Sequence, residues 1–484
     1  MSLQKSSHIV LCLSVGIWVG IESSALAQDA QQVLSNTLPE PSSLSDILSG
    51  NPIKLSVSAQ APSSDLPDVS GPLSVKRAVD IGLKNNLVYK QTQIDTEMAK
   101  YRAKAALGRF GPNISLNTFF STSSLNQMLF YPNDGTVAQA AMQPIQKGTL
   151  LSVLFSGTQP IFTGGFLRGN LKAARALERE SSAGYHSERI ATTLRIKEAY
   201  WNAVWTEAKL RVDNDYVKFR VHSASNTKER VDQGKAPRAD SLREQADLAR
   251  ARAQLNQDYR DYNVALINLK AEMGVNLASL VDLADSLEYN AVPGDLSTYL
   301  IQAGLNRPEI VQAVNKIDEM QGRRMMARSA YSPHVDLYGL GSNLTGSSPD
   351  GHANGRWGGF IGVLGHFTIF DSGQRINQLR ESNAAIRQAQ LAKQQAQLKV
   401  AQDVSTAWVD VDIAGRNVEL SKAEIASAEE DFRLLHARYL IGKAIQLEEF
   451  DGAIKLFRAR LGLQEAIYKY RLAQEKLIWA SGNI

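Results

Sequence analysis

Gly-Lys-Ala occurs twice, at Gly234-Lys235-Ala236 and Gly442-Lys443-Ala444, and a glycine followed by a lysine invites comparison with a phosphate-binding loop. The pattern fails at both places. No Ser or Thr follows either lysine, and the residues five before the glycines are Glu229 and Ala437. The seven histidines, among them His222, His334, His366 and His436, show no pairing at metal-ligand spacing. Asp371-Ser372-Gly373 lacks the nucleophile elbow of a serine hydrolase and suits a strand-to-helix turn. No cofactor, metal or catalytic constellation emerges, so the chain reads as a non-enzyme. Glu448 and Asp451, three residues apart, share one helical face and suit a solvated first turn, where acids favour the helix dipole.

The elements that carry these residues are written twice. "RVDQGKAPRADSLREQADLARAR" from Arg230 and "RYLIGKAIQLEEFDGAIKLFRAR" from Arg438 match at a spacing of 208 residues. "QPIFTGGFLRGNL" from Gln159 faces "FTIFDSGQRINQL" from Phe367 at the same spacing, and "IGLKNN" from Ile81 faces "AGLNRP" from Ala303 at 222. The spacing changes in the region between the strands, where a loop tolerates it. A period this long makes each copy a subdomain rather than a solenoid unit.

Each copy reads as helix, strand, strand, helix, helix. The opening helices span about Leu73 to Leu107 and Leu296 to Arg328. Period-two alternation then marks strands: Ile114, Leu116, Thr118 and Phe120 on one face, and Leu151, Val153 and Phe155 in the next. In the second copy "HVDLYGLG" and "WGGFIGVLGHFTIF" alternate through Ile361, Val363, Phe367 and Ile369. "SNLTGSSPDGHANGR" between them reads as a polar loop. Trp357, Phe130 and Tyr131 suit the interfacial rim of a membrane barrel. Proline-free helical runs follow, Phe166 to about Gln233 and Gln374 to about Ile441, each about 100 Å long. Gly234 and Gly442 stand where a left-handed cap ends them, and Pro237 suits the start of the returning helix. Helices of this length require coiled-coil partners.

The N-terminus has a lysine, a short apolar run from Ile9 to Ile21, and Ala25-Leu26-Ala27, the pattern of a secretory signal peptide covering 1–27. Trp18 and the only cysteine, Cys12, lie in it, so the mature chain has no disulfide or thiolate site. Residues 28–70 form a leader too poor in apolar residues to fold alone. The first repeat then covers 71–280, a linker 281–294, and the second repeat 295–484. The net charge of +4 is small and mixed throughout, which argues against a nucleic-acid partner. Four strands cannot close a barrel, and lipid does not tolerate open edges; three copies would supply twelve strands, within the range of outer-membrane barrels.

With these motifs in order, the mature chain from about Leu73 to Gly482 resembles the TolC family of outer-membrane efflux proteins. The likeness rests on "LSVKRAVDIGLKNN" at Leu73, Ala106 with Pro112, Ile114 and Leu116, "PIFTGG" and "IFDSG" beside the strands, and the paired glycine turns. It implies a mainly α protein with membrane β: a homotrimer whose twelve-stranded barrel, set in outer-membrane lipid, continues as a periplasmic α-helical barrel. It further implies an exit duct without catalysis, for efflux or type I secretion, served by a periplasmic adaptor and an inner-membrane transporter. In the family the helix ends close the periplasmic mouth, and the matching residues here are Tyr439, Asp240, Glu448 and Asp451. The resemblance implies that three copies set Glu448 and Asp451 around the axis as a carboxylate ring, which favours cations and repels itself unless hydrated or screened. An arginine usual two residues after the second glycine is replaced by Ala444, beside Lys443. The alternative is a periplasmic coiled-coil adaptor, but adaptors have one hairpin and a lipoyl-like β domain.

Overall fold

The structure is a computed structural model that describes residues 66–123, 127–128, 144–145, 148–290, 294–348 and 351–483. The signal peptide, residues 28–65 of the leader, Phe130 and Tyr131 lie outside the described residues. In chain order the elements are β1 (Pro72–Leu73), α1 (Val75–Asn85), α2 (Leu87–Gly108), β2 (Asn113–Ser123), β3 (Gln127–Met128), β4 (Pro144–Ile145) and β5 (Gly148–Phe162). Next come α3 (Phe166–Asp232), α4 (Arg238–Met273), β6 (Asp282–Leu283), α5 (Leu296–Asn306) and α6 (Pro308–Ser329). The second sheet segment and hairpin are β7 (His334–Ser348), β8 (Gly351–His366), α7 (Gln374–Leu440) and α8 (Gln446–Ser481).

Each expected opening helix is two helices, and the two copies break at matching places by different means. Asn86 ends α1 with φ −56° and ψ 124°; its side chain accepts from Tyr89 N at 3.0 Å and donates to Glu272 O at 2.8 Å. In the second copy Arg307 is held extended before Pro308, which then occupies the first turn of α6.

The sheet is antiparallel in the order β2-β5-β7-β8, so β2 and β8 are its edges. Register decides its two faces. Leu116 pairs with Phe155, Phe155 with Gly341, and Gly341 with Gly359, while Asn343 pairs with Trp357. One face therefore collects Ile114, Leu116, Phe120, Leu151, Phe155, Ile361 and Val363, with Trp357 68% exposed against Phe155. The opposite face mixes Ser115, Asn117, Ser156, Asp336 and Ser342 with Phe119, Leu154, Leu340 and Phe360, and Ser115 and Ser156 are joined across the strands at 2.7 Å. The expected alternation is present. Two boundaries differ. The polar stretch expected as a loop is the far end of the β7–β8 hairpin, because Gly, Ser and Thr pair well in a strand that needs no apolar face. In return β8 stops at His366, and Phe367 and Ile369 lie in the connection, where the chain must turn toward Gly373 at φ +85°.

α3 and α7 each contain 67 residues, about 100 Å of helix. The seam of α7 runs Val400, Val404, Ala407, Val411, Ala414 and Val418, the alternating four-and-three spacing of a coiled coil. On α4 the buried positions Glu244, Ala251, Asp258 and Ala265 recur every seven residues. Two apolar clusters fill these seams. One joins Leu73, Ile196, Tyr200, Val204, Leu269 and Met273; the other joins Val404, Val411, Val418, Ile467, Tyr470 and Leu477. The Tyr200 hydroxyl bonds Leu73 O and Asp285 Oδ2, both at 2.8 Å, and thereby ties the β1–β6 pairing to α3. The last leader residues join the same cluster: Val69 is buried and its N–H donates to Ser279 Oγ at 3.2 Å. Toward the sheet, α3 and α6 cross in backbone contact. A Cβ on Gly322 would lie 2.6 Å from Ala173 N, and one on Gly169 would lie 2.7 Å from Gly322 O.

Candidate functional site

Both long helices end in the same turn. Gly234 and Gly442 have φ of +69° and +72°, a conformation that glycine adopts without a side-chain penalty. Lys235 N donates to Arg230 O at 2.7 Å and Gly234 N to Val231 O at 2.9 Å; Lys443 N donates to Arg438 O at 2.8 Å and Gly442 N to Tyr439 O at 3.0 Å. These are the crossed bonds of a Schellman turn, which satisfy the last carbonyls of each helix. Pro237 is the extended cap before α4 rather than its first residue, and Asp240 stands in the first turn with its N–H on Pro237 O at 3.1 Å.

The start of α8 sorts its acids by face. Glu448 and Asp451 are exposed, whereas Glu449 and Phe450 between them are buried. Glu449 is only 6% exposed and meets His436 Nδ1 at 2.6 Å. His436 stacks on Phe432, and Phe432, Phe450 and Phe457 surround Phe219, so α3, α7 and α8 share one aromatic knot beside the turn. Above it Arg220, 2% exposed, lies 2.8 Å from Asp247 and 3.6 Å from Glu244, with its guanidinium 5.0 Å from the Phe450 ring. Burial pushes the Glu244 carboxyl above its usual range, and Arg220 and the Ser223 hydroxyl oppose the shift.

Tyr439 does not meet Asp240 within this chain. Its hydroxyl accepts from Arg230 Nη1 at 2.6 Å. Lys443 is exposed just past the turn. The structure thus brings Tyr439, Lys443, Gly442, Glu448 and Asp451 to the end of the second hairpin, and Gly234 and Asp240 to that of the first. The bond to Arg230 joins the two ends. Arg220, Glu244, His436 and Glu449 were not singled out from sequence. A signal for Glu449 existed: it stands in register with Ala453, Leu456 and Ala459, the buried stripe of α8, where a charge demands a partner. Glu244 stands likewise in the seven-residue series of α4.

Among the described residues, no cluster of three or more His, Cys, Asp or Glu side chains has the arrangement to hold a metal ion. No described helix is long and apolar enough to cross a membrane.

Comparison with known proteins agrees with this architecture. The chain is 22% identical over 334 residues to the outer membrane efflux protein BepC of Brucella suis, covering 67% of this chain and 71% of BepC. The outer membrane channel CmeC of Campylobacter jejuni superposes with a TM-score of 0.72 at 18% identity, over 84% of this chain and 85% of CmeC. The open-state channel MtrE of Neisseria gonorrhoeae gives 0.66 at 18% identity, over 88% and 96%. The model of the outer membrane efflux protein family matches residues 79–275 and 300–483, one segment in each repeat, and the chain belongs to that family of outer-membrane channels.

Proposed function

We propose that three copies of this chain join their sheets edge to edge into one twelve-stranded barrel in outer-membrane lipid, continued by the long helices as a periplasmic duct. The observation that carries this is the sheet itself: four strands, one face bearing an apolar row from Ile114 to Val363, and edges at β2 and β8 that pair with no other strand among the described residues. In lipid every backbone group must be paired, so a second and a third copy complete the ladder. Apolar residues left exposed along the helices, including Ile94, Met98, Leu391, Leu398 and Leu420, suit burial against the same neighbours. The duct is passive. It receives its substrate from an inner-membrane transporter through a periplasmic adaptor, as part of a tripartite efflux or type I secretion system, and its periplasmic end is gated by the hairpin tips. Glu448 and Asp451 form the acid ring there, with Tyr439, Asp240 and Lys443 as contacts between subunits. The sheet and the two hairpins favour this reading over an adaptor, which has one hairpin.

The test is extraction from outer-membrane fractions followed by native mass measurement and unheated gel electrophoresis. A heat-modifiable species of three chains supports the proposal. A monomer in the soluble periplasm sinks it.

A further inference from the structure

Asp258 occupies one of the seven-residue seam positions of α4, between Ala251 and Ala265, and is 1% exposed. A charge so placed needs partners. One oxygen has two: Lys209 Nζ lies 2.7 Å from Asp258 Oδ1, and Gln254 Nε2 donates to the same atom at 3.1 Å. Asp258 Oδ2 is enclosed and has no N–H or hydroxyl donor among the described residues. Asp213, one turn beyond Lys209 on α3, is hydrogen-bonded to this carboxyl group. Two ionised carboxylates have no hydrogen to offer each other, so the contact requires a proton.

Asp213 also lines a cavity of about 230 Å³ where α3, α4 and α8 meet, with Tyr216, Gln254, Phe457 and Arg458 on its other walls. This places it on the joint between the first hairpin and the returning helix of the second, twenty-one residues or about 30 Å of helix before Gly234.

We propose that Asp213 and Asp258 share one proton, and that this proton holds the first hairpin against α8. With it bound, the cluster of two carboxyl groups and Lys209 is neutral. When it leaves to water, two buried carboxylates face a single lysine, and water must enter the joint to hydrate the second charge. The other groups facing the site do not cancel that charge. Asp261 on α4 is negative and already paired with Arg260 at 2.6 Å, Tyr216 on α3 is a neutral phenol, and Arg458 on α8 stands across the cavity. Burial first, then the bond to Asp258 and its charge, push the Asp213 carboxyl up to about 7, against the pull of Lys209. An acid raised on folding contributes stability that is fully present below its ordinary value of 3.8 and is lost as pH rises through about 7. The joint is therefore tightest in acid, loosens progressively as pH rises toward about 7, and changes no further above it.

Amide hydrogen exchange on the purified full-length protein, corrected for the intrinsic effect of pH, tests this. Protection of α3 around Asp213 and of α8 around Phe457 should fall as pH rises from about 4 to about 7, with a slope approaching tenfold per pH unit, the limit for one proton, and level off above about 7. Asp213→Asn keeps a hydrogen bond to Asp258 without titrating, and its protection should be flat over that range. A flat wild-type profile, or the same slope in D213N, overturns the proposal. Infrared spectroscopy of the wild type decides independently if D213N does not fold. A protonated carboxyl band that disappears near neutrality supports the shared proton, and its absence throughout refutes it.

Discussion

Arg230 Nη1 donates to the Tyr439 hydroxyl at 2.6 Å, and its guanidinium lies 5.8 Å from the centroid of the Tyr439 ring. The two residues are 209 apart, and each belongs to the last turn of a 67-residue helix. The contact therefore ties the end of α3 to the end of α7, one turn before Gly234 and Gly442. Tyr439→Phe keeps the ring and removes the acceptor. If the bond stabilises the closed mouth by ~1 kcal/mol, its loss raises the open fraction about fivefold. Single-channel recording should show that rise with the melting temperature almost unmoved, because the pair is at the surface. An unchanged open fraction would mean that the bond orients the tips without closing them.

Arg220 is a different kind of residue. It is buried, and it compensates the Glu244 carboxylate, which is also buried, from 3.6 Å. Arg220→Met leaves Glu244 without its cation, which costs about 3–5 kcal/mol at neutral pH. Glu244 is already raised above the ordinary carboxyl value by burial, and losing Arg220 raises it further. For an acid raised on folding, the contribution to stability is present at low pH and lost as pH rises through the folded value. The variant should thus be far less stable than wild type at neutral pH and approach it as the pH falls. Denaturation midpoints at several pH values measure this, and a penalty independent of pH would exclude Glu244 as its source.

Gly322 faces a purely steric constraint. A Cβ there would sit 2.6 Å from Ala173 N and 2.7 Å from Gly169 O, both backbone atoms that no side-chain rotation relieves. Gly322→Val must push α6 away from α3, at a cost of about 1–3 kcal/mol or more. A lower melting temperature and reduced yield of the assembled protein are the expected readouts. Gly234→Ala makes the contrast, because its Cβ would have open space and its penalty arises from φ alone.

Much of this architecture was legible in the residues. Proline-free runs closed by glycine set the ends of α3 and α7 to within a residue, since a left-handed cap is a local requirement. Alternation identified the sheet faces, because side chains along a strand point to opposite sides. The breaks at Asn86 and Arg307 were missed: Asn86 acts through its side chain on Tyr89 N and Glu272 O, a contact 186 residues away. The length of the β7–β8 hairpin was missed because Gly, Ser and Thr carry no facial pattern. At the site, duplication pointed to the turns, but not to Arg230 as the partner of Tyr439 or to Glu449 with His436. Those pairings are tertiary, and only the buried register of Glu449 hinted at one of them.

That register also sharpens the expectation for the exposed acids. Glu449 is committed inward to His436, so Glu448 and Asp451 are the acids of this turn left facing out. In the proposed trimer they form one ring of six carboxylates, whose field attracts cations and is screened by salt. Glu448→Gln with Asp451→Asn should lower the cation-to-anion permeability ratio and weaken block by divalent cations, most clearly at low ionic strength. Glu449→Gln should instead affect stability, by weakening the contact to His436, and leave selectivity near that of wild type. Bilayer reversal potentials under a salt gradient separate the two outcomes. A ratio unchanged in the double variant would remove Glu448 and Asp451 from the pore lining, and a ratio lowered equally by Glu449→Gln would show that α8 begins with a different face toward the axis.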